Sequence, residues 1–174
     1  LFKGIFFMMC LFIPWDIIFT SKGIWGFNHK FILDIPSFLF LPLEEWLFFI
    51  IVPFACVFIY EVLNYFFPVS KKHDYITNFL FIKSVLLLVF SFIFHDKTYT
   101  AICFSLAAFF IYFLYLLKPS KLFKIYRAYL VTFIPFVLIN GFLTGSFTSE
   151  PVVWYNDLCN LGIRFLNIPI EDFI

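Results

Sequence analysis

Charge is scarce in this sequence. Only 13% of its 174 residues are Asp, Glu, Lys or Arg, against roughly a quarter in a soluble domain. The formal net charge is +1, too small an excess to suggest a nucleic-acid or acidic partner. Cys is also sparse. Cys10, Cys56, Cys103 and Cys159 are widely scattered and form no Cys-x-x-Cys pair, so they read as small apolar residues rather than a disulfide frame or a zinc site. No Gly-x-Gly-x-x-Gly turn is present, and no cofactor or metal is evident. No cleavable signal peptide is visible. The chain opens without Met and stops inside a motif, which reads as a fragment of a longer protein.

What fills the sequence is apolar. Such residues make up 63% of it, including 31 Phe, and the mean hydropathy is +1.00. The bilayer is therefore the expected solvent. The Phe excess suits lipid-facing positions, where the demand on side-chain identity is weak. The chain reads as an all-α, polytopic transmembrane helical bundle of about six spans. These run over about 2–19, 42–63, 79–94, 99–117 and 128–143, and Pro169 would open a sixth. Pro14 and Pro135 lie inside the first and fifth and would kink them. Residues 20–41 and 144–167 read as surface segments, 64–78 as a polar break, and Lys118 to Arg127 as a basic loop. Lys83 near the start of the third span can snorkel outward. The larger group of cations (Lys3, Lys71, Lys72, Lys83, Lys118, Lys121, Lys124 and Arg127) would mark the cytoplasmic side against Lys22, Lys30, Lys97 and Arg164.

The organising stretch is 42–61. It is long enough to cross a bilayer, which takes ~20 mostly apolar residues. It opens with Pro42-Leu43-Glu44-Glu45 and ends on Glu61. Glu61 lies roughly 25 Å along the helix from Glu44 and reads as a span-end acid at the water boundary. A second copy, Pro169-Ile170-Glu171-Asp172, closes the chain. The order recurs around both: Phe12-Ile13-Pro14, a Trp-containing surface segment, then the acids; Phe133-Ile134-Pro135, a segment with Trp154, then the acids. An even number of spans separates the copies, so both motif helices enter from one face, as in a parallel internal repeat. The division is 1–98 and 99–174.

Proline in the first turn with acids after it is a common way to start a helix. The duplication and apolar surroundings favour a second reading. A carboxyl group in an apolar pocket resists ionising, and a neighbouring carboxylate adds to that, so the acid keeps a proton it can donate. Adjacent helical residues point about 100° apart, so Glu44 and Glu45 need not share one role. Asp16 is either a buried acid or a span-end acid reaching headgroups or water. Trp25, between Gly23 and Gly26, is either part of an interfacial aromatic belt or a wall for an apolar ligand or cation.

Trp15-Asp16-Ile17-Ile18-Phe19-Thr20, Gly23-Ile24-Trp25-Gly26-Phe27-Asn28 and the 42–61 run together resemble the bacterial lycopene cyclase domain, the membrane-integral, non-flavoprotein carotenoid cyclase. The resemblance implies that Glu44, Glu45, Glu171 and Asp172 are catalytic. It implies protonation of a linear polyene, ring closure through a carbocation and loss of a ring proton to give a β-ionone ring, with no net electron transfer. Asp16, Trp25, Trp46, Phe48 and Phe49 would bind the substrate, with aromatic faces steadying the cation and a dry pocket keeping water from it. The second copy departs by having Ser149-Glu150-Pro151 where the Gly-Trp-Gly turn would be.

The expected partners are a lipophilic polyene and the bilayer of a bacterial cell membrane, with a homo-oligomer or other carotenoid-pathway enzymes as protein partners. Three other classes compete. A proton-coupled transporter would place its acids near mid-span rather than at helix starts. A membrane prenyltransferase would need paired Asp-rich motifs for magnesium, and Asn156-Asp157 is too little. A carotenoid-binding protein without catalysis is the third.

Overall fold

A computed structural model describes residues 1–33, 35, 38–68, 74–117 and 119–174, with the side chains of 74, 119 and 120 excepted. Lys71, Lys72, His73 and Lys118 lie outside the described residues. Among the described residues five helices are long and apolar enough to cross a membrane: α1 (Phe2–Ser21), α2 (Leu43–Phe66), α3 (Asp74–Ile93), α4 (Thr98–Leu117) and α5 (Pro119–Leu143). Four short strands, β1 (Trp25–Phe27), β2 (Val153–Tyr155), β3 (Arg164–Phe165) and β4 (Ile168–Pro169), belong to the connecting segments.

The helices follow the apolar runs, with three differences from the sequence reading. The expected sixth span is a single 3-10 turn, Ile170–Phe173, because only five residues follow Pro169 here. The basic loop is instead the opening of α5. Lys and Arg are good helix formers, and Arg127 uses its place there to donate to Phe67 O at 2.7 Å and Asn64 Oδ1 at 3.2 Å, satisfying a carbonyl at the end of α2. Helix α3 begins five residues earlier than expected, which puts Lys83 near its middle, over the Tyr129 ring at 5.6 Å.

Helix α3 packs on α4, and α2 packs against α1 and α5. Ser91 joins the first pair by donating to Ala101 O at 2.8 Å and meeting Ser105 Oγ at 2.6 Å, the small-residue and hydroxyl contacts that hold helices together in lipid. No residue of α2 is buried. One buried apolar cluster lies at the loop end of the bundle, around Phe19, Ile24 and Tyr99, and a second lies between α3 and α4, around Leu87, Phe104 and Ala108. Lipid already solvates the outer helix faces, so they gain little from burial, whereas the end cap gains by excluding water.

That cap is built from the two surface segments. Strand β1 pairs antiparallel with β2, with Trp25 opposite Tyr155 and Gly26 opposite Trp154. The Trp25 strand of the first copy thus pairs with Val153–Tyr155 of the second, just after Ser149-Glu150-Pro151. Glu150 pairs with Lys30 at 2.9 Å and accepts from Asn28 at 3.3 Å. Trp154 lies over Gly26, and a Cβ there would sit 2.7 Å from its Cε2. Gly26→Val is therefore expected to cost on the order of 1–3 kcal/mol through overpacking. Faster proteolysis within residues 20–30 in native membranes would register it.

Before each acid pair the chain makes the same turn. Phe38 bridges Leu41, as Phe165 pairs with Ile168. The residues between, Leu39 and Phe40 in one copy and Leu166 and Asn167 in the other, all have positive φ, the geometry of a tight two-residue hairpin turn. Leu41 and Ile168 are fully buried after the turn. The repeated unit is therefore eight residues long, Phe-Leu-x-(Leu/Ile)-Pro-(Leu/Ile)-Glu-(Glu/Asp), rather than four.

Candidate active site

The first acid of each pair ties down backbone. Glu44 Oε1 accepts the Leu33 N–H at 2.7 Å. Glu171 Oε1 accepts the Leu161 N–H at 2.9 Å and the Thr100 hydroxyl at 2.5 Å. Both acids thus anchor the loop that precedes them, ten or eleven residues upstream. Glu171 is buried, at 3% exposure. Neither lines the cavity under the β1–β2 cap.

The second acid of each pair does. One step along a helix turns a side chain by about 100°, and Glu45 and Asp172 both face a cavity of about 310 Å³ under the β1–β2 cap. Asp16, near the end of α1, is the third acid there. It is 3% exposed, so the buried alternative is the one realised. Its Oδ1 accepts the Trp25 indole N–H at 2.7 Å and the Thr20 hydroxyl at 3.3 Å. Its Oδ2 is buried without a donor, and the Glu45 carboxyl group lies beside it. Asp172 accepts from the Tyr155 hydroxyl at 2.8 Å and from the Tyr99 hydroxyl. Burial pushes the Asp172 carboxyl group up to about 6, while the two tyrosine hydrogen bonds pull the other way. Burial and the Asp172 charge also hold the Tyr155 hydroxyl well above its usual range, so it stays a donor.

The walls are aromatic. The Trp25 ring lies 5.4 Å from Tyr99 and 6.3 Å from both Tyr155 and Trp15. Phe48 and Phe49 line the cavity from α2. Trp46 does not: it points to the turn before α2, its ring tilted against that of Phe38 at 5.4 Å, with its N–H 3.4 Å from Phe38 O. Glu61 is exposed towards the other end of α2. Among the described residues no group of three His, Cys, Asp or Glu is placed to hold a metal.

Sequence reasoning missed Tyr99, Tyr155, Trp15 and Thr100. Tyr99 opens a span, where a Tyr is ordinarily an interfacial anchor. Tyr155 adjoins the noted Trp154, but alternation along a strand turns it to the opposite face. Trp15 was legible as the neighbour of Asp16.

The protein-family model described as Lycopene cyclase matches residues 1–63 and 96–174 of the chain. Searches of curated proteins and of solved structures found no match. The unmatched stretch, 64–95, contains all of α3, none of whose described side chains lines the cavity.

Proposed function

The chain belongs to the lycopene cyclase family, and from that premise we propose that it is a multi-pass enzyme of the bacterial cell membrane that closes the end group of lycopene to a β-ionone ring by acid catalysis. One observation supports this above the rest: Asp16, Glu45 and Asp172 converge on a single aromatic cavity.

The chemistry follows from that arrangement. An alkene is a weak base, so its protonation needs a carboxylic acid held in its neutral form beside it, in a place where water is scarce. The resulting carbocation needs faces that stabilise it without bonding to it. Trp and Tyr rings supply up to about 2 kcal/mol each in desolvated settings. The cavity lies near the lower end of the size range for small-molecule sites, ~300–1,000 Å³. It suits one end of a polyene, with the remaining chain left in lipid. Glu44 and Glu171 then act by fixing the loops around the chamber, while Glu45 and Asp172 act on the substrate with Asp16. Trp25, Phe48 and Phe49 hold the end group; Trp46 supports the turn before α2. The reaction is redox-neutral and needs no cofactor. The two repeats, 1–98 and 99–174, each supply one acid motif and one strand of the cap.

The test is pigment composition. The full-length gene, expressed in bacteria that accumulate lycopene, is expected to shift the extracted pigment to ring-bearing products. Unaltered lycopene, with the protein confirmed in the membrane, would remove this reading.

A further inference from the structure

The acids in the chamber differ in the hydrogen bonds they make. Around Asp172 the polar contacts are donors, the Tyr99 hydroxyl on Oδ1 and the Tyr155 hydroxyl on Oδ2. A hydroxyl on each oxygen favours the charged carboxylate and leaves each oxygen a lone pair on which a proton can be accepted. The other side of the chamber is arranged oppositely. Asp16 takes two donors on Oδ1, but its buried Oδ2 has none, and the Glu45 carboxyl group lies beside Asp16. Two carboxyl groups sit together when one of them brings a hydrogen. Trp25 and Thr20 serve Asp16, so the hydrogen belongs to Glu45.

Building on the cyclase reading above, we propose that Glu45 donates the proton that starts the reaction, that Asp172 accepts the proton that ends it, and that Tyr99 and Tyr155 are positioning residues which hold Asp172 as the acceptor. The steps balance. The Glu45 O–H bond breaks, and the π pair of the terminal double bond takes the proton, leaving a cation on the adjacent carbon. The π pair of a nearby double bond forms the ring C–C bond and moves the cation onto the ring. A C–H bond next to that centre breaks. Its electron pair becomes the ring double bond, and its proton goes to Asp172. One proton enters the polyene and one leaves it. Asp172 then returns its proton to Glu45, and the Tyr155 hydroxyl is within electrostatic reach of both acids.

The geometry assigns a direction to the chamber: acid on the α1–α2 side, base on the β2–α4 side. The groups that act on Asp172 are Tyr99 and Cys103 from α4, Tyr155 from β2, Arg164 from β3 and the adjacent Glu171. Asp172 titrates at about 6 in this setting, so at neutral pH it is an ionised base.

The experiment measures ring formation from lycopene in native membranes, against pH, for the parent protein, Tyr155→Phe, Glu45→Gln and Asp172→Asn. In the parent, the rate should rise with pH through about 6, as Asp172 ionises. Tyr155→Phe removes a donor that favours the charged carboxylate, so the rising limb should move up by about one pH unit, the worth of one hydrogen bond to a charged acceptor. Its rate is expected to fall about fivefold at pH 6 and to recover to within about twofold of the parent at pH 8. A purely structural role for Tyr155 would lower the rate equally at every pH, and that profile would overturn the proposal. Glu45→Gln should leave lycopene untouched, because no cation forms. Asp172→Asn should still consume lycopene but divert it to ring isomers and hydrated products, because the cation has lost its base. The reverse product pattern would overturn the assignment of acid and base. A parent that forms no ring at any pH would instead strike the cyclase reading beneath it.

Discussion

Glu45→Gln is expected to lower ring formation by about 10²–10⁴-fold, the usual contribution of a positioned general acid, while Glu44→Gln lowers it by less than about tenfold. The two residues are adjacent and chemically identical, so the contrast isolates geometry. Glu45 faces the cavity with Asp16 beside it. Glu44 accepts one backbone N–H from Leu33, and a Gln carbonyl oxygen accepts the same bond. Pigment analysis of lycopene-accumulating cells expressing each variant, normalised to protein in the membrane, decides it. Equal losses in the two variants would mean that the pair acts as a unit and that the cavity does not divide it.

The second large effect concerns stability. Glu171→Ala should destabilise the fold by about 2–4 kcal/mol, because it strands a buried hydroxyl and a partly buried N–H at once, an unsatisfied buried donor costing about 1–3 kcal/mol. Those donors are the Thr100 hydroxyl, on a residue with no exposed surface, and the Leu161 N–H. The loss is local in cause and wide in consequence. Thr100 lies next to Tyr99, and Leu161 lies on the loop that leads to the second motif, so Asp172 loses its setting together with Glu171. Glu171→Gln keeps an acceptor oxygen and should recover most of the loss. Thermal unfolding in detergent, followed for both variants, should place Ala well below Gln. Matching midpoints would show that Glu171 is not an anchor.

These expectations settle on a division that the sequence allowed without assigning. Adjacent helical residues point about 100° apart, so the two acids of a pair need not share one role. The structure sorts them by position within the pair. The first acid of each pair holds backbone, and the second faces the chamber. A hint of this was present in the sequence, since Phe38 to Glu45 and Phe165 to Asp172 match over eight residues and not four. The hint was hard to use, because its content is conformational. Leu39, Phe40 and Leu166 have positive φ in both turns, and none of these residues announces that preference as a glycine would.

What the amino-acid order decided alone was local. Apolar runs of about 20 residues favour helices wherever lipid is the solvent, since a helix satisfies the backbone within the segment itself. Prolines followed by acids mark where the α2 helix and the second motif turn begin. The doubled motif, the Asp16 and Trp25 segments and the family they indicate were all legible at that level. What needed the tertiary structure was long in range. Tyr99 reaches Asp172 across 73 positions, and Trp25 faces Tyr155 only because β1 and β2 pair across the cap. Whether a carboxyl group meets a backbone N–H, a tyrosine hydroxyl or another carboxyl group depends on which segments dock above it. That docking is set by the exclusion of water at the end of the bundle, which no single stretch of sequence encodes.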